Sequence, residues 1–100
     1  MNKQELDFEK AVEDVNNLGK KPQDEELLEL YSFYKQATMG DVTTERPMFL
    51  DFKGRKKWDS WYEKRGIPAT QAKIQYVAVV KALTGKYGLK PPEETAAPTN

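Results

Sequence analysis

The 100-residue chain has no cysteine and no histidine. Without cysteine there is no disulfide and no thiol nucleophile. Without histidine the most common general acid/base is missing, and a zinc site would have to be built from carboxylates alone, which the chemistry of zinc disfavours. These absences weaken every enzyme hypothesis, although carboxylate chemistry survives formally; no metal or cofactor is expected. No apolar run approaches a membrane span, so no stable membrane insertion is expected. The N-terminus MNKQELDFEK is charged from its third residue and does not resemble a secretory signal; the expected location is cytoplasmic. No P-loop or dinucleotide fingerprint occurs.

What the chain does have is aromatic rings and unevenly placed charge. Sixteen basic and sixteen acidic residues cancel overall. Residues 1–30 carry four basic and nine acidic residues, net −5, whereas residues 31–70 carry eight and five, net +3. A neutral protein with one basic spot suits a compact anion better than a nucleic-acid backbone, which calls for a broad basic face. No nucleic-acid partner is expected.

Hydrophobic periodicity predicts four helices. Phe8, Ala11, Val12, Val15 and Leu18 form one stripe of a helix over residues 4–18, with Gly19 as its left-handed C-terminal residue. Asp24 is read as the N-cap of a second helix ending at Gly40-Asp41. On it, Tyr31 and Lys35 lie about 40° apart in projection. Residues 41–53 read as a long loop, unusual in a small domain and often functional. Its Met48, Phe49, Leu50 and Phe52 are too apolar for a solvated linker and are expected to pack on the body. A third helix is predicted over 54–65, with Trp58, Trp61 and Tyr62 on one face. Its basic first turn opposes the helix dipole; Lys56 and Lys57 read as ordinary solvated lysines, with service to a ligand as the alternative. A fourth helix is predicted over 68–87, with Gly85 marking possible fraying at its end. Residues 1–89 form the predicted domain, and residues 90–100, rich in proline and small polar side chains, read as a disordered tail. The fold class is all-α, a four-helix bundle with one long crossover. Taken singly, each of Tyr31, Tyr34 and Tyr76 fits a core or rim position better than a ligand contact. As a set with Lys35 and Lys57 they outline a polar cleft.

The block Tyr31-Ser-Phe-Tyr34-Lys35-Gln36-Ala37-Thr38, then Gly40-Asp41 and Thr44-Glu45-Arg46-Pro47, resembles the acyl-CoA-binding protein family. The likeness continues through Leu50-Asp51-Phe52-Lys53-Gly54, Lys57-Trp58-Asp59-Ser60-Trp61 and Tyr76, and covers roughly residues 5–88. It implies an up-down-down-up four-helix bundle with an overhand loop between helices 2 and 3. It further implies non-covalent binding, buffering and intracellular transport of medium- and long-chain fatty acyl-CoA esters, by a monomer that does no chemistry. By the resemblance, Tyr31 and Lys35 meet the CoA head group, and Lys35 and Lys57, with Tyr31, contact the ribose 3′-phosphate. Tyr34 stacks on adenine, and Tyr76 lies against the adenosine moiety and the cleft wall. Lys21, Val12 and Leu28 line the acyl and pantetheine part of the groove. Asn16 stands where the family commonly has a basic residue. Trp58 and Trp61 are then expected to be chiefly packing that carries Lys57. Transient contact with acyl-CoA-using enzymes or membranes fits such a carrier. The alternative class is a helical protein-interaction module with no lipid ligand, using the same aromatics as a partner-binding patch.

Overall fold

The computed structural model describes residues 2–91. Four helices account for most of them: α1, Lys3–Val15; α2, Asp24–Met39; α3, Phe52–Glu63; α4, Ala69–Tyr87. They form an all-α, up-down-down-up bundle. α2 is the central element and packs on both α3 and α4, while α1 packs on α4. The predicted tail falls outside the described residues from 92 onward.

The predicted apolar stripes meet in one core. Phe8 and Ala11 of α1, Leu30, Phe33 and Ala37 of α2, and Ala72, Tyr76, Val80 and Leu83 of α4 are buried together with Leu18. Spacings of three and four residues place each set on one helix face. Each large aliphatic side chain in it contributes about 1.5–3 kcal/mol relative to exposure.

The helix ends depart from the sequence reading, for local chemical reasons. α1 starts on Asn2, whose side chain accepts the Glu5 N–H at 2.8 Å, and stops at Val15 rather than Leu18. Leu18 leaves the helix to pair with Leu89 in a short antiparallel bridge. Gly19 is therefore not a left-handed cap. Its N–H donates to the Gly88 carbonyl at 2.8 Å, and Lys90 N–H donates to the Asn17 carbonyl at 2.7 Å. A Cβ on Gly19 would collide with the Tyr87 carbonyl oxygen, so the requirement for glycine is close backbone approach. Asp24 is the first residue of α2 and Gln23 its N-cap, with the Glu26 carboxylate accepting the Gln23 N–H at 2.8 Å. α3 begins two residues earlier than predicted because Asp51 caps it, accepting the Gly54 N–H at 2.9 Å. That carboxylate offsets the basic first turn. α4 runs through Gly85 to Tyr87 without a break.

The overhand loop between Met39 and Phe52 is fastened mainly by polar groups. Gly40 ends α2 at φ 81°, and the buried Trp61 donates from Nε1 to its carbonyl at 2.8 Å. Trp58 Nε1 donates to the Thr44 carbonyl at 3.0 Å. Arg46 grips Asp59 through two bonds of 2.9 and 2.8 Å, and Arg55 Nε donates to the Pro47 carbonyl at 2.9 Å. At the start of the loop, one Asp41 oxygen accepts from both Gln36 Nε2 and Gly66 N–H at 2.8 Å. Gln36, fully buried, also donates to the Ile67 carbonyl at 2.9 Å. These contacts tie the loop to α3 and to the α3–α4 connection. The two tryptophans thus fasten the overhand loop to α3 through their indole N–H groups. The expectation that the loop's apolar side chains pack on the body is wrong. Met48, Phe49, Leu50 and Phe52 are 63–78% exposed, since carbonyls and Arg46 already hold the loop in place.

Candidate ligand-binding groove

An open groove of about 450 Å³ lies between α2 and α3. α2 contributes Asp24, Leu27, Leu28 and Tyr31, spaced at i, i+3, i+4 and i+7 on one face. α3 contributes Phe52, Lys53, Lys56 and Lys57 at i, i+1, i+4 and i+5. The groove is apolar between Leu27, Leu28 and Phe52 and cationic along α3.

Tyr31 is the hinge between ring and charge. Lys57 Nζ lies 5.1 Å from its ring centroid and Lys35 Nζ lies 6.0 Å from it. Lys35 Nζ is also 5.0 Å from the Trp61 ring. Rings at this range attract an ammonium group but do not neutralise it. Among the described residues, no ion pair takes up Lys35, Lys53, Lys56 or Lys57. Elsewhere on the bundle Lys64 pairs with Glu29 at 3.3 Å, Lys73 with Glu5 at 2.7 Å and Lys86 with Glu26 at 2.8 Å, whereas Lys20, Lys21, Lys81 and Lys90 also lack an ion pair among the described residues. Asp24, at the groove edge, is the only carboxylate in its lining. A concentration of unpaired ammonium groups beside apolar surface is an arrangement for an amphiphilic anion.

A second aromatic group sits further along α2. Tyr34, 39% exposed, stacks on Phe8 of α1 with centroids 6.0 Å apart and planes at 16°. Tyr76 of α4 meets Phe8 edge-on at 5.2 Å and Tyr34 at 6.0 Å. Tyr76 is buried, and burial first, then the neighbouring Tyr34, pushes its hydroxyl pKa up to about 12. It stays a neutral phenol over the whole physiological range. Tyr34 offers a ring at the surface, and Tyr76 and Phe8 fix its orientation.

The structure therefore brings Leu28, Tyr31, Lys35 and Lys57 together and joins Tyr34 to Tyr76. It does not bring Val12 or Lys21 into the groove lining. Val12 is half-buried against the core. Lys21 lines a separate hollow of about 260 Å³ with Val15, Asn16, Leu18 and Lys90. Sequence reasoning missed Asp24, Leu27, Phe52 and Lys53 as lining residues. The signal for the α3 residues was present in their spacing, but starting that helix at Gly54 left Phe52 and Lys53 in the loop. No sequence signal pairs Phe8 with Tyr34, because their contact is made only through tertiary packing.

The sequence profile described as acyl CoA binding protein matches residues 5–80. The chain belongs to the acyl-CoA-binding protein family. The acyl-CoA-binding protein homolog 1 of Caenorhabditis elegans is 45% identical over 83 residues, spanning 83% of this chain and 96% of that one. The crystal structure of acyl-CoA-binding protein 2 from Oryza sativa superposes with a TM-score of 0.79 at 37% identity, covering 83% of this chain and 92% of the other. That of the Moniliophthora perniciosa protein gives 0.78 at 36% identity, with coverages of 87% and 84%. Acyl-CoA-binding proteins are non-catalytic lipid-binding proteins. No helix among the described residues is long and apolar enough to cross a membrane.

Proposed function

We propose that the protein binds medium- and long-chain fatty acyl-CoA esters without reacting with them, and buffers and carries them as a monomer in the cytoplasm. The observation that carries this reading is the groove between α2 and α3, where Lys53, Lys56 and Lys57 stand unpaired beside Leu27, Leu28, Phe52 and the Tyr31 ring. Family membership and the printed names of the relatives support it.

In this reading Lys35 and Lys57, with Tyr31, engage the ribose 3′-phosphate through charge-assisted bonds, the strong kind. Tyr34 stacks on the adenine, and Tyr76 backs the adenosine end from α4. Leu28 lines the pantetheine and acyl path. Acyl chains contribute about 0.8 kcal/mol per buried methylene, so a dozen provide on the order of 10 kcal/mol before the costs of association. Affinity rises with chain length until the groove is full, while the head group selects the ligand class.

Calorimetric titration with palmitoyl-CoA, free palmitate and CoA tests the proposal. Palmitoyl-CoA is expected to bind far more tightly than either fragment. Binding no tighter than that of palmitate would overturn it.

A further inference from the structure

We propose that Glu26 is a positioning residue for the groove: it clasps the end of α4, fixes where Leu27 and Leu28 stand, and so sets how strongly the site rewards a longer acyl chain. The proposal rests on the reading of the groove as an acyl-CoA site and extends it to chain-length selectivity.

Three donors converge on this one carboxylate. Lys86 Nζ donates to Oε2 at 2.8 Å, and the Tyr87 hydroxyl donates to Oε1 at 2.6 Å. The Gln23 N–H, at the head of α2, also donates to Oε1, at 2.8 Å. Glu26 thus joins the last turn of α4 to the first turn of its own helix. Tyr87 packs against the core, so the far end of the clasp is fixed. Beside it, the Leu18–Leu89 bridge and the bonds from Gly19 N–H to the Gly88 carbonyl and from Lys90 N–H to the Asn17 carbonyl tie the α1–α2 connection to the same end of α4.

The groove gives this joint a consequence. Leu27 and Leu28, the next two residues of α2, line it, and Leu27 also packs on the core. One side of this turn is therefore groove wall, and another is fastened to α4. Among the described helices, α1 packs on α4 and not on α2, and α3 packs on α2 alone. α4 is thus the only other helix that holds this turn against α3. The head-group side chains are supported differently. Tyr31 and Lys35 lie about 7.5 and 13.5 Å further along α2 at the usual rise per residue, and Lys35 meets the Trp61 ring at 5.0 Å. Removing the clasp leaves the Gln23 N–H without its acceptor and loosens the first turn, while the head-group cluster keeps its contacts.

The test is calorimetric titration with CoA, octanoyl-CoA, dodecanoyl-CoA and palmitoyl-CoA, reading the slope of log Kd against chain length. Each methylene withdrawn from the apolar wall lowers affinity about fourfold. Glu26→Ala is expected to weaken palmitoyl-CoA by about tenfold or more through a shallower slope, and to leave CoA itself within about twofold. Tyr87→Phe removes one donor, keeps the ring in the core, and should lower the slope by less. It decides the matter if Glu26→Ala does not fold, which urea unfolding of each variant reads. Glu5→Ala, which breaks the 2.7 Å pair between α1 and α4, should lower stability and keep the wild-type slope. An unchanged slope in the folded variants, an equal loss for CoA and palmitoyl-CoA, or a slope that Glu5→Ala lowers as much would overturn the inference. Each of those results leaves the wild-type preference for palmitoyl-CoA over palmitate standing, whereas absence of that preference would refute the acyl-CoA reading itself and this inference with it.

Discussion

Replacing Lys57 by alanine separates a ligand-binding lysine from an ordinary surface one. Its Nζ lies 5.1 Å from the Tyr31 centroid, and no carboxylate among the described residues pairs with it. Truncation therefore removes no ion pair and only a weak cation–π attraction, about 0.5 kcal/mol at an exposed site. Folding stability should change by about 0.5 kcal/mol or less. If Lys57 meets a phosphate, the same truncation removes a charge-assisted hydrogen bond worth about 1.5–3 kcal/mol. At about 1.4 kcal/mol per tenfold, palmitoyl-CoA should bind roughly 10- to 150-fold more weakly. Lys57→Arg keeps the charge and should recover part of the loss. Lys10→Ala is the matched control, because Lys10 lies on α1 and pairs with Asp14 at 3.2 Å. Calorimetry at fixed ionic strength reads the affinity, and urea unfolding reads the stability. An unchanged affinity, or a loss that Lys10→Ala reproduces, would refute the placement of the phosphate at Lys57.

Three further outcomes test the scaffold. Gly19→Ala forces a Cβ against the Tyr87 carbonyl oxygen and should destabilise by about 1–3 kcal/mol in urea; a stabilised variant would show that Gly19 needs no close approach. Trp61→Phe leaves the Gly40 carbonyl without its 2.8 Å donor and should cost about 1–3 kcal/mol, so an unchanged denaturation midpoint would show that the indole N–H does not fasten the loop. The Glu26 carboxyl is held down to about 2 from 4.5, first by the Lys86 hydrogen bond, then by Tyr87 and the Gln23 N–H. A depressed carboxyl adds stability that is fully present above pH 4.5 and lost as pH falls toward 2. Glu26→Gln should therefore be less stable than wild type near neutrality, with the gap closing between pH 4.5 and 2; a gap that does not vary with pH would contradict this.

Much of the fold is legible in the linear chain because it rests on periodicity. The stripe Phe8, Ala11, Val12, Val15 needs only a 3.6-residue repeat to be read, and so does Ala72, Tyr76, Val80, Leu83. The absence of cysteine and histidine, and the gathering of positive charge after residue 31, bound the chemistry before any coordinates. The block from Tyr31 to Pro47 names the family outright.

What the chain alone did not reveal depends on contacts between distant segments. Leu18 fits the α1 stripe perfectly, yet Leu89 draws it out of the helix. Asp51 moves the start of α3 back by two residues because its carboxylate is free to take the Gly54 N–H, and with that shift Phe52 and Lys53 enter the groove. Met48, Phe49 and Leu50 are apolar enough to look buried. Their exposure follows from Trp58, Trp61, Arg46 and Arg55, which hold the loop by its carbonyls and by Asp59 and leave its side chains nothing to pack against. Composition and spacing determined four helices, one core and the residue types of a site for a compact anion. Tertiary structure decided which lysines face Tyr31, which ring orients Tyr34, and that the loop's apolar tip is turned outward, because each depends on where one helix lies against another.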